Sequence, residues 1–547
     1  MAIVIIDGRE LEIRSDERLN GIEAAARLGI PIPHYCWHPG LSVVGSCRMC
    51  LVETGTRDPK TRQVSMLSKL VPACSTIVRD GTVLVTQSEK VQRARAMVEE
   101  DLLLRHPIDC PICDKAGECQ LQDYHFRHGQ AQRRADLRPF TSRRRDVGSQ
   151  ITLFVDRCVM CSRCVRFARE ISGTAELMVV HRAAQEEIDV VPGFPLANKL
   201  SGNVVDLCPV GALCDKDFLY RQRVWFLRRH AGICTGCATG CSTWIEENQD
   251  RVYRIKPREN PHVNKWWICN DGRYDYPHVH SDRRILRPSA APHGEQPAGL
   301  DWTRLPKELD ERLRRSGRLA AVLSPFLMVE EAFLLARYVR GIDPQAQIVL
   351  GPVPVVGQDE RFPGSFTIAA EKCPNRRGVE EIVAHFMHRA ATLDDLLGAL
   401  GRGEVGGVWV AGGYKEPWID EAKAEHLGRA GLLVVQDLFP STLAERAGYV
   451  LPAAAFPERE GSYVNRHDHL QSVRRAIRPP MGVRSEGSLL WELSGRQGLY
   501  DARAVLTELA IEIPYFRAAI GPIPDIGFNL KVNLLAQTPD RIQRSLA

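Results

Sequence analysis

The segment His106-Pro-Ile-Asp-Cys110-Pro-Ile-Cys113-Asp-Lys-Ala-Gly-Glu-Cys119 places one imidazole and three thiols within a single loop. Two Cys separated by two residues in a turn chelate well, because the loop between them directs both sulfurs to one side. Pro107 and Pro111 stiffen the backbone, and Gly117 permits the turn that returns Cys119. Alone, these four donors suit a tetrahedral zinc or an iron–sulfur cube about equally. Three further four-donor groups flank the segment without interleaving: Cys36, Cys47, Cys50 and Cys74 before it, then Cys158, Cys161, Cys164 and Cys208, then Cys234, Cys237, Cys241 and Cys269. Of the 17 Cys only Cys214 and Cys373 fall outside these sets, so the first half of the chain reads as a row of metal sites.

A chain of 547 residues exceeds what one core usually serves. Hydrophobic content of 44% and charged content of 25% are those of an ordinary soluble protein, and no stretch has the length and apolarity of a membrane span. The start, Met1-Ala-Ile-Val-Ile-Ile-Asp-Gly8, lacks the basic-then-apolar pattern of a secretory signal, so a reducing compartment is expected and the Cys read as ligands rather than disulfides. The formal charge of +5 ignores the negative charge of ligating thiolates, for which the excess Arg is a partial counterweight. The run Arg133, Arg134, Arg138, Arg143, Arg144, Arg145 carries no aromatic platform or nucleic-acid motif, and is expected to be a solvated linker or a docking surface for an acidic neighbour. No nucleic-acid partner is expected.

Five segments follow. In residues 1–100, Ile3–Ile6, the turn Asp7-Gly8 and Leu11–Ile13 predict a hairpin, Asn20–Leu28 a helix and Thr82–Thr86 a strand. Hairpin, helix and Cys loop resemble a plant-type ferredoxin (β-grasp) domain holding a [2Fe–2S] cluster, with the wider Cys36–Cys47 spacing of respiratory iron–sulfur subunits. Residues 101–145 carry the His106 set, entered from a predicted helix over Glu89–Arg105. Residues 146–225 carry an even Cys triplet closed by Cys208-Pro209, the ending of bacterial ferredoxins, and zinc sites seldom offer such a triplet. Residues 226–284 carry the fourth set and resemble the N-terminal iron–sulfur segment of molybdopterin oxidoreductases. Residues 285–547 alternate predicted strands at 319–323, 347–350, 407–410 and 431–435 with helical stretches at 328–339 and 392–400, an α/β pattern with a mainly parallel sheet. The predicted class is therefore multi-domain α+β and α/β. Cys214 is read as a packed free thiol, and Gly412-Gly413 as a strand-to-loop turn.

The order of sites over nearly the whole chain resembles the family of large iron–sulfur subunits of bacterial NADH–quinone oxidoreductase, respiratory complex I. Phe439–Glu445, Val450–Phe456 and Glu460-Gly461 resemble the molybdopterin-enzyme fold of that family. The resemblance implies one [2Fe–2S] cluster on Cys36/47/50/74 and three [4Fe–4S] clusters on His106/Cys110/113/119, Cys158/161/164/208 and Cys234/237/241/269, conducting electrons from a flavin subunit towards quinone. The fourth cluster is implied to lie off the main path. The implied partners are the flavin/NADH subunit, a small [2Fe–2S] subunit, a ferredoxin-like connecting subunit and quinone-module subunits, peripheral on the cytoplasmic face of the bacterial inner membrane, with membrane contact only through the complex. Fewer than about 280 residues follow Cys269, so a truncated α/β domain without molybdopterin or molybdenum is expected. No nicotinamide, Walker A or quinone motif is present, so NADH and quinone sites are expected in other subunits and no catalytic residue is assigned here.

Two rivals remain. The iron–sulfur subunit of an NAD-linked formate dehydrogenase would need a molybdenum-ligating Cys, for which only Cys373 is available. The diaphorase subunit of a hydrogenase is a nearer cousin but normally stops before an α/β half. A structural zinc scaffold without redox chemistry is the alternative of another class.

Overall fold

The computed structural model describes residues 1–132, 134–183, 185–290 and 298–532. Arg133 of the basic run and the end of the last predicted segment, 533–547, lie outside the described residues. The chain divides into two compact units: Met1–Leu227 with Phe362–Phe366, and Arg228–Arg361 with Thr367 onward. No helix among the described residues is long and apolar enough to cross a membrane.

In the first unit the predicted hairpin forms as strands Ala2–Ile6 and Arg9–Ile13, and alternate residues Ala2, Val4 and Ile6 face the core. Asn20 caps helix Gly21–Arg27 by a reciprocal capping box with Glu23. The strand Thr82–Val85 returns parallel to Ala2–Ile6, so hairpin, helix and parallel return strand make the β-grasp arrangement. Its other neighbour, Leu51–Arg57, was not predicted: Gly55 and four polar residues break the alternation. Helix Glu89–Leu103 then leads to the His106 loop, and Cys119 stands at the N-cap of helix Gln120–His128. Residues 144–146, 151–154 and 213–215 form a three-stranded antiparallel sheet that supports the third set.

That sheet adds ion pairs to the basic run, whose arginines still keep much of their side chains in solvent. Arg143 pairs with Asp156 at 2.7 Å and Glu187 at 2.6 Å, Arg145 pairs with Asp189 at 2.7 Å, and Arg134 with Glu100 at 2.5 Å. These arginines fasten a strand to acids up to 44 residues away in sequence, which no local pattern announces.

The second unit opens with an antiparallel ribbon, Arg228–Ile233, Ser242–Asn248 and Arg251–Pro257. Its main sheet carries five parallel strands in the spatial order Tyr449–Pro452, Leu432–Asp437, Gly407–Ala411, Leu319–Leu323, Gln347–Leu350, with two short antiparallel strands at one edge. Taken in chain order this is 2-1-3-4-5, a doubly wound sheet whose direction of winding reverses between Leu319–Leu323 and Gly407–Ala411. The four predicted strands are all present, and three of them are buried throughout as expected where helices cover both faces.

Candidate metal centres

In the first set the four thiols form a contact chain. Cys36 is hydrogen-bonded to Cys47 and Cys74, and Cys50 to Cys74. Three of them are buried, and Cys47 is half-buried. Hydrogen bonds from Cys47 and then Cys74 lower the Cys36 thiol, while the bond to Cys36 raises Cys47 and those to Cys36 and Cys50 raise Cys74. Four thiolates so close cannot coexist without a cation among them.

In the second set His106, Cys110, Cys113 and Cys119 ring one cavity, which Arg157 and Gly211 also line. Burial, and then the Arg157 charge, lower His106 to about 4, so its ring is neutral at pH 7 as a ligand must be. Arg157 is held by Asp109 at 2.7 Å and lies over the Phe154 ring. Cys110 is the one exposed thiol of the chain, and burial raises Cys119 to about 11. A methyl at Gly211 would collide with Cys113 Sγ, so only glycine lets the third set's Cys-Pro turn approach so closely.

The third set, Cys158, Cys161, Cys164 and Cys208, also rings a cavity, together with Val159, Pro209, Ala212 and Leu213. The triplet turns sharply, with Met160 and Ser162 in the left-handed region at φ 48° and 54°. Met160 N–H donates to Cys158 Sγ at 3.4 Å. Burial, then the neighbouring thiols, raise Cys158 and Cys164, and burial raises Cys161 to about 11. The fourth set lies in the second unit, at the end of the ribbon. Cys234 N–H donates to the Cys241 carbonyl at 2.8 Å, and Cys269 caps the short helix Asn270–Arg273. Gly236 and Gly272 donate to Cys234 and Cys269 Sγ, each at 3.4 Å. All four thiols are buried, and burial raises Cys269 to about 12.

The donors fit iron–sulfur clusters in number and type, four thiols per set or three with the His106 imidazole, and backbone N–H groups are aimed at sulfur in the third and fourth sets. Among the described residues no three His, Cys, Asp or Glu groups converge on a point suited to one metal ion. The second and third sets instead ring cavities. Since most of these thiols are neutral by themselves, loading a site must release protons.

Within the first unit the sets meet in an order different from the sequence. Arg163 and Arg166 join the first set's loop to the third set. Gly211 and Cys214 join the third to the second: Cys214 is buried where it feels both Cys113 and Cys208, and its Sγ–H points to the Gly211 carbonyl at 3.5 Å. It is a packed free thiol. The buried arginines Arg95, Arg157, Arg163 and Arg166 were not singled out from sequence. Their signal was the arginine excess, which does not say which arginines turn inward.

A doubly wound sheet binds its ligands beyond the carboxyl ends of the strands, where the winding reverses. Here that crevice is packed with side chains. Phe326, Cys373 and Tyr414 are buried together there, Phe326 edge-on to Tyr414 at 5.1 Å. Tyr414 stacks on Trp418 at 4.7 Å and donates its hydroxyl to the Pro352 carbonyl at 2.8 Å. Trp418 Nε1 donates to Asp437 at 2.9 Å, and Asp437 also accepts from the backbone of Gly413, in the turn predicted at Gly412-Gly413. These residues do not fit a dinucleotide-like pterin at that crevice. Cys373, the molybdenum ligand of the formate dehydrogenase reading, is fully buried, and burial followed by Glu371 raises its thiol.

Four family models match the chain: a 2Fe-2S iron-sulfur cluster binding domain over residues 3–89, the NADH-ubiquinone oxidoreductase-G iron-sulfur binding region over 95–134, the ferredoxin-like domain of NADH-quinone oxidoreductase subunit 3 over 148–214, and molybdopterin oxidoreductase over 384–496. The chain is 33% identical to the NADH-quinone oxidoreductase G subunit of Rickettsia bellii over 62% of its own length and 48% of that protein's. It is 32% identical to the G subunit of Streptomyces coelicolor, over 62% of this chain and 39% of that one. It is 34% identical to the NADH-ubiquinone oxidoreductase 75 kDa subunit of Reclinomonas americana, over 61% and 47%. The chain thus spans about half the length, or less, of these curated relatives. The resemblance drawn from ligand spacing and the predicted fold class are borne out: ferredoxin-like [2Fe–2S] domain, [4Fe–4S] domains and molybdopterin-oxidoreductase-like α/β domain are all present. The match over 384–496 stands against the expectation of no molybdopterin, which was drawn from the length of chain after Cys269.

Proposed function

We propose that the chain is an electron-transfer subunit in the peripheral arm of an NADH–quinone oxidoreductase, working on the cytoplasmic face of the bacterial inner membrane. In this reading it holds one [2Fe–2S] cluster on Cys36, Cys47, Cys50 and Cys74. Three [4Fe–4S] clusters are held by His106 with Cys110, Cys113 and Cys119, by Cys158, Cys161, Cys164 and Cys208, and by Cys234, Cys237, Cys241 and Cys269. The five segments 1–100, 101–145, 146–225, 226–284 and 285–547 are its working domains. The observation that carries the reading is the physical linkage of three four-donor sets within one unit, through Arg163 and Arg166 on one side and Gly211 on the other.

Iron–sulfur clusters supply one-electron oxidation and reduction when bound. The chain's own residues do the rest. Turns rich in glycine and left-handed residues aim N–H groups at sulfur, the neutral His106 ring replaces one thiolate, and apolar walls keep water from three of the four sets. The exposed Cys110 marks the second site as a point where a partner can come within transfer distance. The flavin/NADH subunit, the small [2Fe–2S] subunit, the ferredoxin-like connecting subunit and the quinone-module subunits are the partners this function requires. The packed crevice supports an α/β half that works as scaffold, without molybdopterin.

Anaerobically purified protein should be brown, contain about fourteen irons per chain by the cluster stoichiometries, lack zinc and molybdenum, and give both [2Fe–2S] and [4Fe–4S] EPR signals on reduction. Stoichiometric zinc in place of iron overturns the electron-transfer reading, and stoichiometric molybdenum overturns the scaffold reading.

A further inference from the structure

Helix Arg163–Glu170 begins inside the third Cys triplet, between Cys161 and Cys164. Its two inward arginines are almost completely enclosed, Arg163 at 5% exposure and Arg166 at 1%. Both reach from the third set to the first. Arg163 donates to the Leu207 carbonyl, next to Cys208, at 3.2 Å and to the Trp37 carbonyl, next to Cys36, at 2.6 Å. Arg166 donates to the carbonyls of Cys36 and Ser42 on one side, and to that of Cys161 at 3.2 Å on the other. Each guanidinium therefore spans the Cys36–Cys47 loop and a backbone segment that carries a third-set ligand.

What these side chains lack is as informative. Neither forms an ion pair with a carboxylate among the described residues, and Arg163 Nε is buried without a partner. The nearest carboxylate on the same helix, Glu170, instead accepts from the Ser42 backbone and hydroxyl, at 2.9 and 2.6 Å. Two adjacent guanidiniums buried with carbonyls and the Ser162 hydroxyl, 3.4 Å from Arg166 Nε, but no carboxylate are costly, because an unpaired interior charge forfeits its hydration. Arginine brings a positive charge along with its forked hydrogen bonds, which a neutral donor would not. The negative charge that offsets it must come from the thiolates on either side.

Resting on the electron-transfer reading above, we propose that Arg163 and Arg166 are positioning residues that clamp the first and third sites together and raise the reduction potentials of both. Their charge favours the more negative, reduced state of each site, and their forked geometry fixes the separation across which an electron passes. A purely structural clamp would need the hydrogen bonds but not the charge, and this distinction can be measured.

The test is an EPR redox titration of the full chain, with iron analysis, in the parent and in Arg163→Gln, Arg166→Gln and Arg166→Lys. In each Gln variant the first-site [2Fe–2S] signal and one [4Fe–4S] signal should titrate at lower potential. The expected loss is at least tenfold in the reduced-to-oxidised ratio at a fixed potential, equivalent to about 59 mV for one electron. Arg166→Lys keeps the charge and should return both midpoints to within tenfold of the parent. Gln variants with full iron and unmoved midpoints overturn the proposal, as does an Arg166→Lys variant shifted as far as Arg166→Gln. Should Arg166→Gln fail to retain iron, Arg163→Gln against Arg166→Lys decides by the same criterion. A parent chain without iron–sulfur EPR signals overturns the proposed function and this inference together; parent signals with unmoved midpoints overturn this inference alone.

Discussion

In the first unit the space ringed by Cys158, Cys161, Cys164 and Cys208 is lined with donors and small apolar groups, and buried arginines stand around it. In the second unit the crevice where a doubly wound sheet would seat a ligand is closed by Phe326, Tyr414 and Trp418, with Asp437 tied into the packing. Both regions come from folds associated with cofactors. They differ in what the side chains do with the volume: one keeps donors facing a shared space, and the other gives the space to aromatic packing. A fold therefore supplies a place, and only the residues at that place say whether it is used.

The sharpest break in this comparison is Cys164→Ala, which removes one of four donors from a site linked to both of its neighbours in the unit. About four irons per chain should be lost, by the stoichiometry of a cube, and NADH–quinone turnover of the assembled complex should fall to background. Normal turnover with the site empty would mean that electrons bypass it.

Next in size is Tyr414→Ala. If the crevice is a packed core, emptying it should destabilise the second unit by about 3–5 kcal/mol, the usual cost of truncating a buried aromatic. Denaturant unfolding followed by tryptophan fluorescence measures this, since Trp418 stacks on the deleted ring. A loss below about 1 kcal/mol, within the range of surface substitutions, would mean the ring is not packed and the crevice is open to a ligand.

Asp437 gives a smaller, pH-dependent effect. Burial raises its carboxyl to about 6, despite hydrogen bonds from Trp418 and the backbone that favour the anion. In the unfolded chain it ionises near 4, so between about pH 4 and 6 the folded state holds the extra proton and stability falls as pH rises. Above about 6 the loss is complete, on the order of 3 kcal/mol for a shift of two units. Asp437→Asn cannot ionise, so the stability gap between parent and variant should shift in the variant's favour from about pH 4.5 to 7. A constant gap would place the carboxylate in water and the crevice with it.

What could be read before the structure follows the same division. The grouping of His106, Cys110, Cys113 and Cys119 around one cavity, and of Cys158, Cys161, Cys164 and Cys208 around another, was legible because Cys-x2-Cys must turn in a few residues and a Cys-Pro closure is as recognisable in sequence as in space. The strands 319–323 and 432–437 were legible because a sheet covered on both faces needs continuous apolar runs. The ribbon 228–257 was not, since the adjacent acids Glu246 and Glu247 break its apolar pattern, although both are buried against Arg228, Arg229 and Arg254 of the neighbouring strands. Helix Gln120–His128 has one buried residue, Leu121, and so no apolar stripe to notice. The inward turn of Arg163 and Arg166 and the closing of the crevice by Tyr414 were equally hidden. Each depends on a carbonyl or ring supplied by a segment tens to more than a hundred residues away.

The smallest expected effect belongs to the fourth set. It has all four thiols buried and two N–H groups on sulfur, so its chemistry is as complete as that of the third set. Its surroundings differ. The first three sets share a unit and are joined to one another through single residues, whereas the fourth is the only set in its own unit. Its nearby groups serve the fold: the Ala238 N–H donates to the Glu371 carbonyl at 2.9 Å, and Asn465 donates to the Thr239 carbonyl at 3.0 Å. These bonds tie the Cys loop to the α/β half, as a structural staple requires. Metal bonds at such a site add folding free energy, because the unfolded chain has no preformed site. Cys237→Ala should therefore lower the iron count by about one cube and reduce the yield of assembled complex, most visibly on warming. The NADH–quinone turnover of each complex that does assemble should stay within about twofold of the parent, less than about 1 kcal/mol in barrier terms. Turnover per assembled complex as low as that of Cys164→Ala would put the fourth site on the electron path and erase the contrast between the two units.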